Sequence, residues 1–240
     1  MSRRREGADT LERVAAEVVE CRECPRLVAH CREVARKKRR AYAGEDYWGL
    51  PVPGFGDPRG RLVVVGLAPA AHGANRTGRL FTGDSSGDLL WSALHAAGFA
   101  TQSQGRSRDD GLRLVDCYVT AAVRCAPPAN RPTAEESASC RPYLLREVRL
   151  LGEALLYVAL GRFAFEALLA ILPEAGLGPV PARSAFRHGG HWPLGGSSRR
   201  GLLASYHPSR QNTQTGRLSP RMFHAVFRRA RRLLSLRREK

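Results

Sequence analysis

The sequence predicts an α/β protein of three layers, α/β/α, built around a central, mostly parallel four-stranded sheet. Three observations carry this expectation. Short apolar runs alternate along the chain with segments of helical periodicity. The runs are apolar at nearly every position, as strands are when helices cover both faces of a parallel sheet. The 240 residues, 43% of them hydrophobic, suffice for one large core, which excludes a disordered chain and fits a single domain over 1–240.

Each element has a local reason. Leu11, Val14, Ala15, Val18 and Val19 recur at helical spacing over 10–20, behind the caps Asp9 and Thr10, and 26–38 continues as a basic helix. Pro51-Val52-Pro53-Gly54-Phe55-Gly56-Asp57-Pro58 cannot be helical, and it leads into 62–67, a buried strand by its length and β-branching. After a long loop, 86–97 reads as a helix with Leu89, Leu90, Ala93 and Leu94 inward, and 114–123 as a second buried strand. Thr133 followed by Glu136 is a capping-box pattern opening a helix over 133–152. A strand over 155–160, a helix over 162–171, a strand over 201–205 and a helix over 219–236 complete the order. The polar run 101–110 reads as an exposed loop, and no internal repeat is found.

Charge narrows the partner. Lys and Arg number 39 against 22 Asp and Glu, a net charge of +17, and arginine's planar fork suits phosphate oxygens. A nucleic acid is the expected partner, with an arginine-rich background composition as the alternative. No apolar run approaches the roughly 20 residues that cross a bilayer, and the N-terminus leads into an amphipathic segment, not a signal-peptide core. A soluble, cytoplasmic protein without membrane contact is expected. The C-terminal stretch 217–240 holds nine basic residues and one acidic, with Met222, Phe223, Val226, Phe227, Ala230, Leu233 and Leu234 at helical spacing. It reads as an amphipathic helix with a wet arginine face.

Six cysteines in a reducing compartment call for metal binding, catalysis or burial. Cys21 and Cys24 form a C-x-x-C, while Cys125 and Cys140 each stand beside a proline-bearing turn, and these four thiolates can close one site. On spacing alone zinc is the preferred occupant and an iron-sulfur cluster the alternative. Cys31 and Cys117 read as small buried hydrophobes.

Ligands of parallel sheets bind beyond the carboxyl ends of the strands, so the segments after Leu67, Val123 and Ser205 should converge. The first runs from Gly66 through Ala68, Ala70 and His72 to Arg79, then Leu80-Phe81-Thr82-Gly83-Asp84-Ser85-Ser86-Gly87. Its small side chains let a ligand approach the backbone, and the amides opening the next helix can receive an anion or a carbonyl. The last carries Tyr206-His207-Pro208-Ser209-Arg210-Gln211-Asn212, a dense polar set for a connection. Asp84 before a helix reads as an N-cap, or as a carboxylate that orients water or stabilises a developing cation.

Six separated motifs bear a wider likeness: Cys21-x-x-Cys24-Pro25-Arg26-Leu27-Val28, Pro53-Gly54-Phe55-Gly56-Asp57-Pro58, Gly66-Leu67-Ala68-Pro69, Thr82-Gly83-Asp84, Thr120-Ala121-Ala122-Val123-Arg124-Cys125-Ala126-Pro127-Pro128 and His207-Pro208-Ser209-Arg210-Gln211-Asn212. Together they resemble the uracil-DNA glycosylase superfamily, specifically its iron-sulfur type-b branch (family 5), over residues 18–220. The resemblance implies hydrolysis of the N-glycosidic bond between a deaminated base and deoxyribose, leaving an abasic site. It also implies tolerance of bases beyond uracil, hypoxanthine included. Duplex DNA containing deaminated bases is the implied partner, with single-stranded DNA as a second form and a monomer as the acting species.

Roles follow from the same resemblance. A base inside a duplex must rotate out to be reached, and an aromatic platform offsets about 1–3 kcal/mol of that cost. Phe55, between two glycines, is the expected platform; an ordinary core Phe is the alternative. Gly66, Ala68 and His72 are expected to line the base pocket. Asp84 matches the branch's catalytic aspartate, Asn130 another active-site polar residue, and His207 a donor to uracil O2 as charge grows on the departing base. Ser209, Arg210, Gln211 and Asn212 are expected to contact DNA beside the flipped nucleotide. Cys21, Cys24, Cys125 and Cys140 are the implied ligands of a [4Fe-4S] cluster tying the N-terminal helices to the sheet. Two departures stand out: Ala121 and Ala122 where uracil-strict relatives carry an asparagine, which should relax base discrimination, and Ala70 where many relatives have glycine. A non-catalytic nucleic-acid binder and a metal-stabilised small-molecule hydrolase are the competing classes.

Overall fold

The structure is a computed structural model that describes residues 8–196 and 199–236. The first seven residues, read above as no signal peptide, and the end of the basic C-terminal stretch lie outside them. In chain order the strands are β1 (Phe55–Gly56), β2 (Leu62–Gly66), β3 (Cys117–Ala121), β4 (Leu156–Leu160), β5 (His191–Leu194) and β6 (Arg200–Ser205). The helices are α1 (Leu11–Glu20), α2 (Pro25–Lys37), α3 (Ala74–Thr77), α4 (Ser85–Ala96), α5 (Ala134–Leu150), α6 (Arg162–Ile171), α7 (Arg210–Gln214) and α8 (Pro220–Leu236).

One sheet runs β1-β3-β2-β4-β6-β5. Its middle is the expected parallel quartet β3, β2, β4 and β6. The sheet has six strands where four were expected: β1 and β5 pair antiparallel at the two edges. Neither announces itself in sequence. β1 has two residues inside a Gly/Pro-rich connection, and β5 contains Pro193, which an edge strand tolerates because the missing N–H is not needed for the ladder.

The quartet is buried on both faces because its residues alternate between two cores. Leu62, Val64, Val119, Val158 and Leu203 pack with Leu90 and Leu94 of α4 and Phe223 and Phe227 of α8. Val63, Val65, Tyr157, Leu202 and Ala204 pack with Leu144 and Val148 of α5 and Phe165 and Leu168 of α6. Each such burial is worth about 1.5–3 kcal/mol over leaving the side chain in water. Under the sheet, the wholly buried Arg124 guanidinium meets the Glu147 carboxylate at 2.5 Å, and Thr120 donates to the same carboxylate at 2.7 Å. Removing one partner of such a pair costs about 3–5 kcal/mol, because the other charge stays buried.

Helix starts follow their caps. Thr10 accepts from Arg13 N at α1, and Thr133 and Glu136 form the expected capping box at α5. β3 starts three residues later than the apolar pattern suggests, because Asp116 takes a left-handed φ of 57° and turns to pair with Arg61 at 2.5 Å.

Candidate active site

A cavity of about 780 Å³ opens at the carboxyl ends of the parallel strands. Four segments build it: 67–73 after β2, the turn 81–86 into α4, 129–131 before α5 and 207–212 after β6. Arg39 and Tyr42, beyond α2, complete its wall. Of the sequence-selected residues, Ala68, His72, Asp84, Asn130, His207, Ser209, Arg210, Gln211 and Asn212 all line this one cavity.

Asp84 is the N-cap of α4 and a cavity residue at once. Its Oδ1 accepts the N–H groups of Ser86 and Gly87, both at 2.9 Å. Oδ2 takes no protein hydrogen bond among the described residues and lies against Gly73, where a Cβ would run into it. Burial raises the carboxyl above the usual range, and the two amides counter this in part. The cap thus holds one oxygen rigidly and leaves the other for a water or a cation.

Two imidazoles line the same cavity. Burial pushes His207 down to about 4, so its ring is neutral at physiological pH. Its backbone is fixed by Asn212, whose Nδ2 donates to His207 O at 2.8 Å. His72 Nδ1 lies 3.1 Å from the Tyr47 hydroxyl, which itself accepts the Arg39 N–H at 3.3 Å. Tyr47 is thus placed to donate its proton to His72 Nδ1, the arrangement in which a neutral ring carries its proton on Nε2. Burial, with Arg39 and Arg76 nearby, lowers His72 as well.

Two expectations move. Phe55 is absent from the cavity wall: pairing of β1 with β3 carries it to the sheet edge, where its ring packs against Trp91 at 5.8 Å between centroids. Phe81 occupies the cavity instead, 6.3 Å from the His207 ring and tilted 30° to it. Gly66 lies behind Phe81 and not in the wall, and a Cβ there would meet the Phe81 ring at 2.5 Å. Phe81 has a φ of 52°, a strained conformation for a bulky residue of the kind that concentrates at functional sites. The available signal was an aromatic ring among small residues, three positions before Asp84.

The polar segment after β6 divides. Ser209 caps α7, accepting from Asn212 N, and Asn212 holds His207, so both are engaged within the protein. Arg210 and Gln211 are exposed, with Arg210 Nε donating to Ser85 Oγ at 3.2 Å. Arg39 and Arg131, exposed at the same mouth, are further cations that sequence reasoning missed, because the chain brings them from distant segments.

The selected cysteines gather behind the 67–73 wall. Cys24, Cys125 and Cys140 share a buried cluster with Cys31 and Leu27, against which Ala68 and Ala71 pack. Cys21, at the end of α1, interacts electrostatically with all three. Cys31 is buried as expected and belongs to this patch, and Ala126 N donates to its sulfur at 3.2 Å. Burial pushes the Cys24 thiol up, and Cys140 to about 11. The donor set fits a thiolate-bound metal group. The four cysteines come from three segments, 21–24, 125 and 140, and are linked by electrostatic interactions; the Arg124 backbone and charge offset only part of the burial that holds Cys140 as a thiol, and the buried Arg124 Nε lacks a partner. Among the described residues no three His, Cys, Asp or Glu form a site for a single metal ion. No helix among them is long and apolar enough to cross a membrane.

A parallel sheet core covered on both faces, with a carboxylate, an aromatic ring and a neutral imidazole in one cavity at the carboxyl ends of its strands, is the α/β arrangement that places a ligand site at that edge. The chain belongs to the uracil DNA glycosylase superfamily, whose family model matches residues 53–231. Within that family it is 55% identical over 216 residues to a Type-5 uracil-DNA glycosylase of Thermus thermophilus, covering 90% of this chain and 94% of the relative. A Type-5 uracil-DNA glycosylase of Mycobacterium bovis is 48% identical over 96% of this chain and 84% of its own length. One of Pyrobaculum aerophilum is 46% identical over 89% and 88%.

Proposed function

We propose that this chain is a DNA repair glycosylase that everts a deaminated base, hydrolyses its N-glycosidic bond and leaves an abasic site. One observation carries the reading most: Asp84 is clamped through one oxygen by two helix amides, while its other oxygen takes no hydrogen bond among the described residues, in the cavity that holds Phe81 and His207.

In this reading Arg39, Arg131 and Arg210 meet the phosphates around the everted nucleotide, a salt-sensitive contribution without base preference. The base stacks on Phe81. Asp84 Oδ2 orients the attacking water and stabilises the positive charge that develops on the sugar as the bond to the base lengthens. His207, neutral, donates to the base oxygen on which negative charge grows, and Asn130 and the Nε2–H of His72 supply further polar contacts. Apart from Phe81, the apolar part of the cavity lining is Leu67, Ala68, Ala70, Ala71 and Ala129, mostly small side chains. A wall of small apolar residues rejects few bases, so hypoxanthine is accepted beside uracil.

A [4Fe-4S] cluster on Cys21, Cys24, Cys125 and Cys140 completes the proposal. Bound there, it supplies a cross-link between the N-terminal helices and the sheet, within a single domain. The test is incubation with duplexes and single strands carrying uracil, hypoxanthine or xanthine, scored for abasic sites. Uracil and hypoxanthine release is expected. Absence of release from every substrate refutes the enzyme reading, and release of uracil alone refutes the broad one.

A further inference from the structure

Arg76, in α3, lines no part of the cavity yet touches three of the pieces that build it. It is buried, 8% exposed. Its Nε donates to His72 O at 2.9 Å, and its Nη2 donates to Gly83 O at 3.0 Å. Its Nη1 pairs with the half-exposed Glu45 carboxylate, and its guanidinium lies 3.9 Å from the centroid of the Tyr42 ring. One planar fork therefore binds the loop after β2, the turn carrying Phe81 and Asp84, and the segment beyond α2.

That turn needs an external hold. Phe81 holds a left-handed φ of 52°, strained for a bulky residue, while Gly83 takes its φ of 83° without steric cost, so the strain of the turn sits at the stacking ring. The Gly83 carbonyl immediately precedes Asp84, and the His72 carbonyl immediately precedes Gly73, against which Asp84 Oδ2 rests. Arg76 thus fixes the two backbone points nearest that oxygen relative to each other. A lysine cannot do this, because an ammonium lacks the rigid geometry that reaches two carbonyls and a carboxylate in one plane.

We propose that Arg76 is a positioning residue for base release, holding the His72 and Gly83 carbonyls in the register that sets Asp84 against the everted nucleotide. The proposal rests on the catalytic reading given above. It assigns Arg76 to the rate of bond cleavage and not to DNA affinity.

The test compares R76K, R76A and E45Q with the wild-type holoprotein. Readouts are single-turnover uracil release and affinity for a duplex carrying non-hydrolysable 2′-fluoro-deoxyuridine, taken well below each variant's melting temperature. A displacement of about 1 Å costs up to about a hundredfold in rate, so R76K is expected to lose about ten- to a hundredfold in cleavage with affinity within threefold. Methylguanidinium is expected to restore part of the R76A rate and leave the wild type unchanged. E45Q keeps the fork and is expected to lose no more than about fivefold, the worth of a half-exposed ion pair. R76K cleaving within threefold of wild type, parallel losses of rate and affinity, no rescue of R76A, or an E45Q loss equal to that of R76K each overturn the proposal. D84N, run alongside, separates the failures. If D84N cleaves normally, the catalytic reading falls and this one with it; if D84N is inactive while R76K is unimpaired, only the role of Arg76 falls.

Discussion

Asp84 has two duties, and substitutions divide them. Asp84→Asn and Asp84→Ser keep a side-chain oxygen able to accept the Ser86 and Gly87 amides, so the cap survives in part while the charge is lost. Asp84→Ala loses both. A unit charge about 4 Å from a carboxylate at an effective dielectric near 20 is worth about 4 kcal/mol, which at 1.36 kcal/mol per tenfold is about a thousandfold in rate. Loss of the cap costs a further 0.5–2 kcal/mol, or about 1 typically, in stability alone. All three variants should therefore lose about a thousandfold in single-turnover cleavage of a uracil duplex, measured by alkaline scission of an end-labelled strand. Only Asp84→Ala should lose clearly in melting temperature. Asp84→Asn cleaving within threefold of wild type would refute the electrostatic role and reduce Asp84 to a cap. Because burial raises this carboxyl, the acid limb of the rate should lie above the ordinary 3.8.

Phe81→Ala should weaken binding of non-hydrolysable substrate by about 1–3 kcal/mol, whereas Phe55→Ala should lower the melting temperature and spare substrate affinity; the reverse result restores Phe55 as the platform. Cys125→Ser should abolish visible iron-sulfur absorption and destabilise the protein, while a colourless, zinc-loaded wild type prepared without oxygen overturns the cluster. His207 falls from 6.5 unfolded to about 4 folded, so the unfolded chain binds the extra proton between those values. Its contribution is complete above 6.5 and lost as pH falls toward 4, by no more than about 3 kcal/mol given its partial exposure. Thermal melts of His207→Gln against wild type should show a flatter pH dependence in that window, and identical slopes would refute the buried neutral imidazole.

What was legible in the sequence is what local chemistry decides. Leu62 to Gly66 and Leu156 to Leu160 are continuous apolar runs, and no other element suits them in a chain with helices between. Thr133 and Glu136 announce α5 because both halves of a capping box lie within one turn. β1 and β5 were illegible because edge pairing depends on the neighbouring strand. Phe55 pairs with Val119 and His191 with Leu203, and neither segment has a strand pattern of its own.

The site divides along the same line. Asp84 and His207 lie on the connections that follow β2 and β6, on the side where a parallel sheet places its ligands, but on that ground alone they read as an N-cap and a structural histidine; the family likeness of Thr82-Gly83-Asp84 and His207-Pro208-Ser209 is what singled them out. Phe81 could not be chosen over Phe55 on that basis, since both lie in loops rich in small residues. What separates them is a contact across the fold: Gly66, at the end of β2, has no side chain, and that gap admits the Phe81 ring into the cavity. The same two residues answer why the position tolerates a left-handed aromatic. The tip of the ring sits in the space that Gly66 leaves open and the His207 ring lies 6.3 Å away, so the surroundings hold a conformation that Phe81 alone would abandon. Filling the floor tests this directly: Gly66→Ala should displace the ring and reproduce the binding loss of Phe81→Ala, and combining the two should cost little more than either, since both remove one platform.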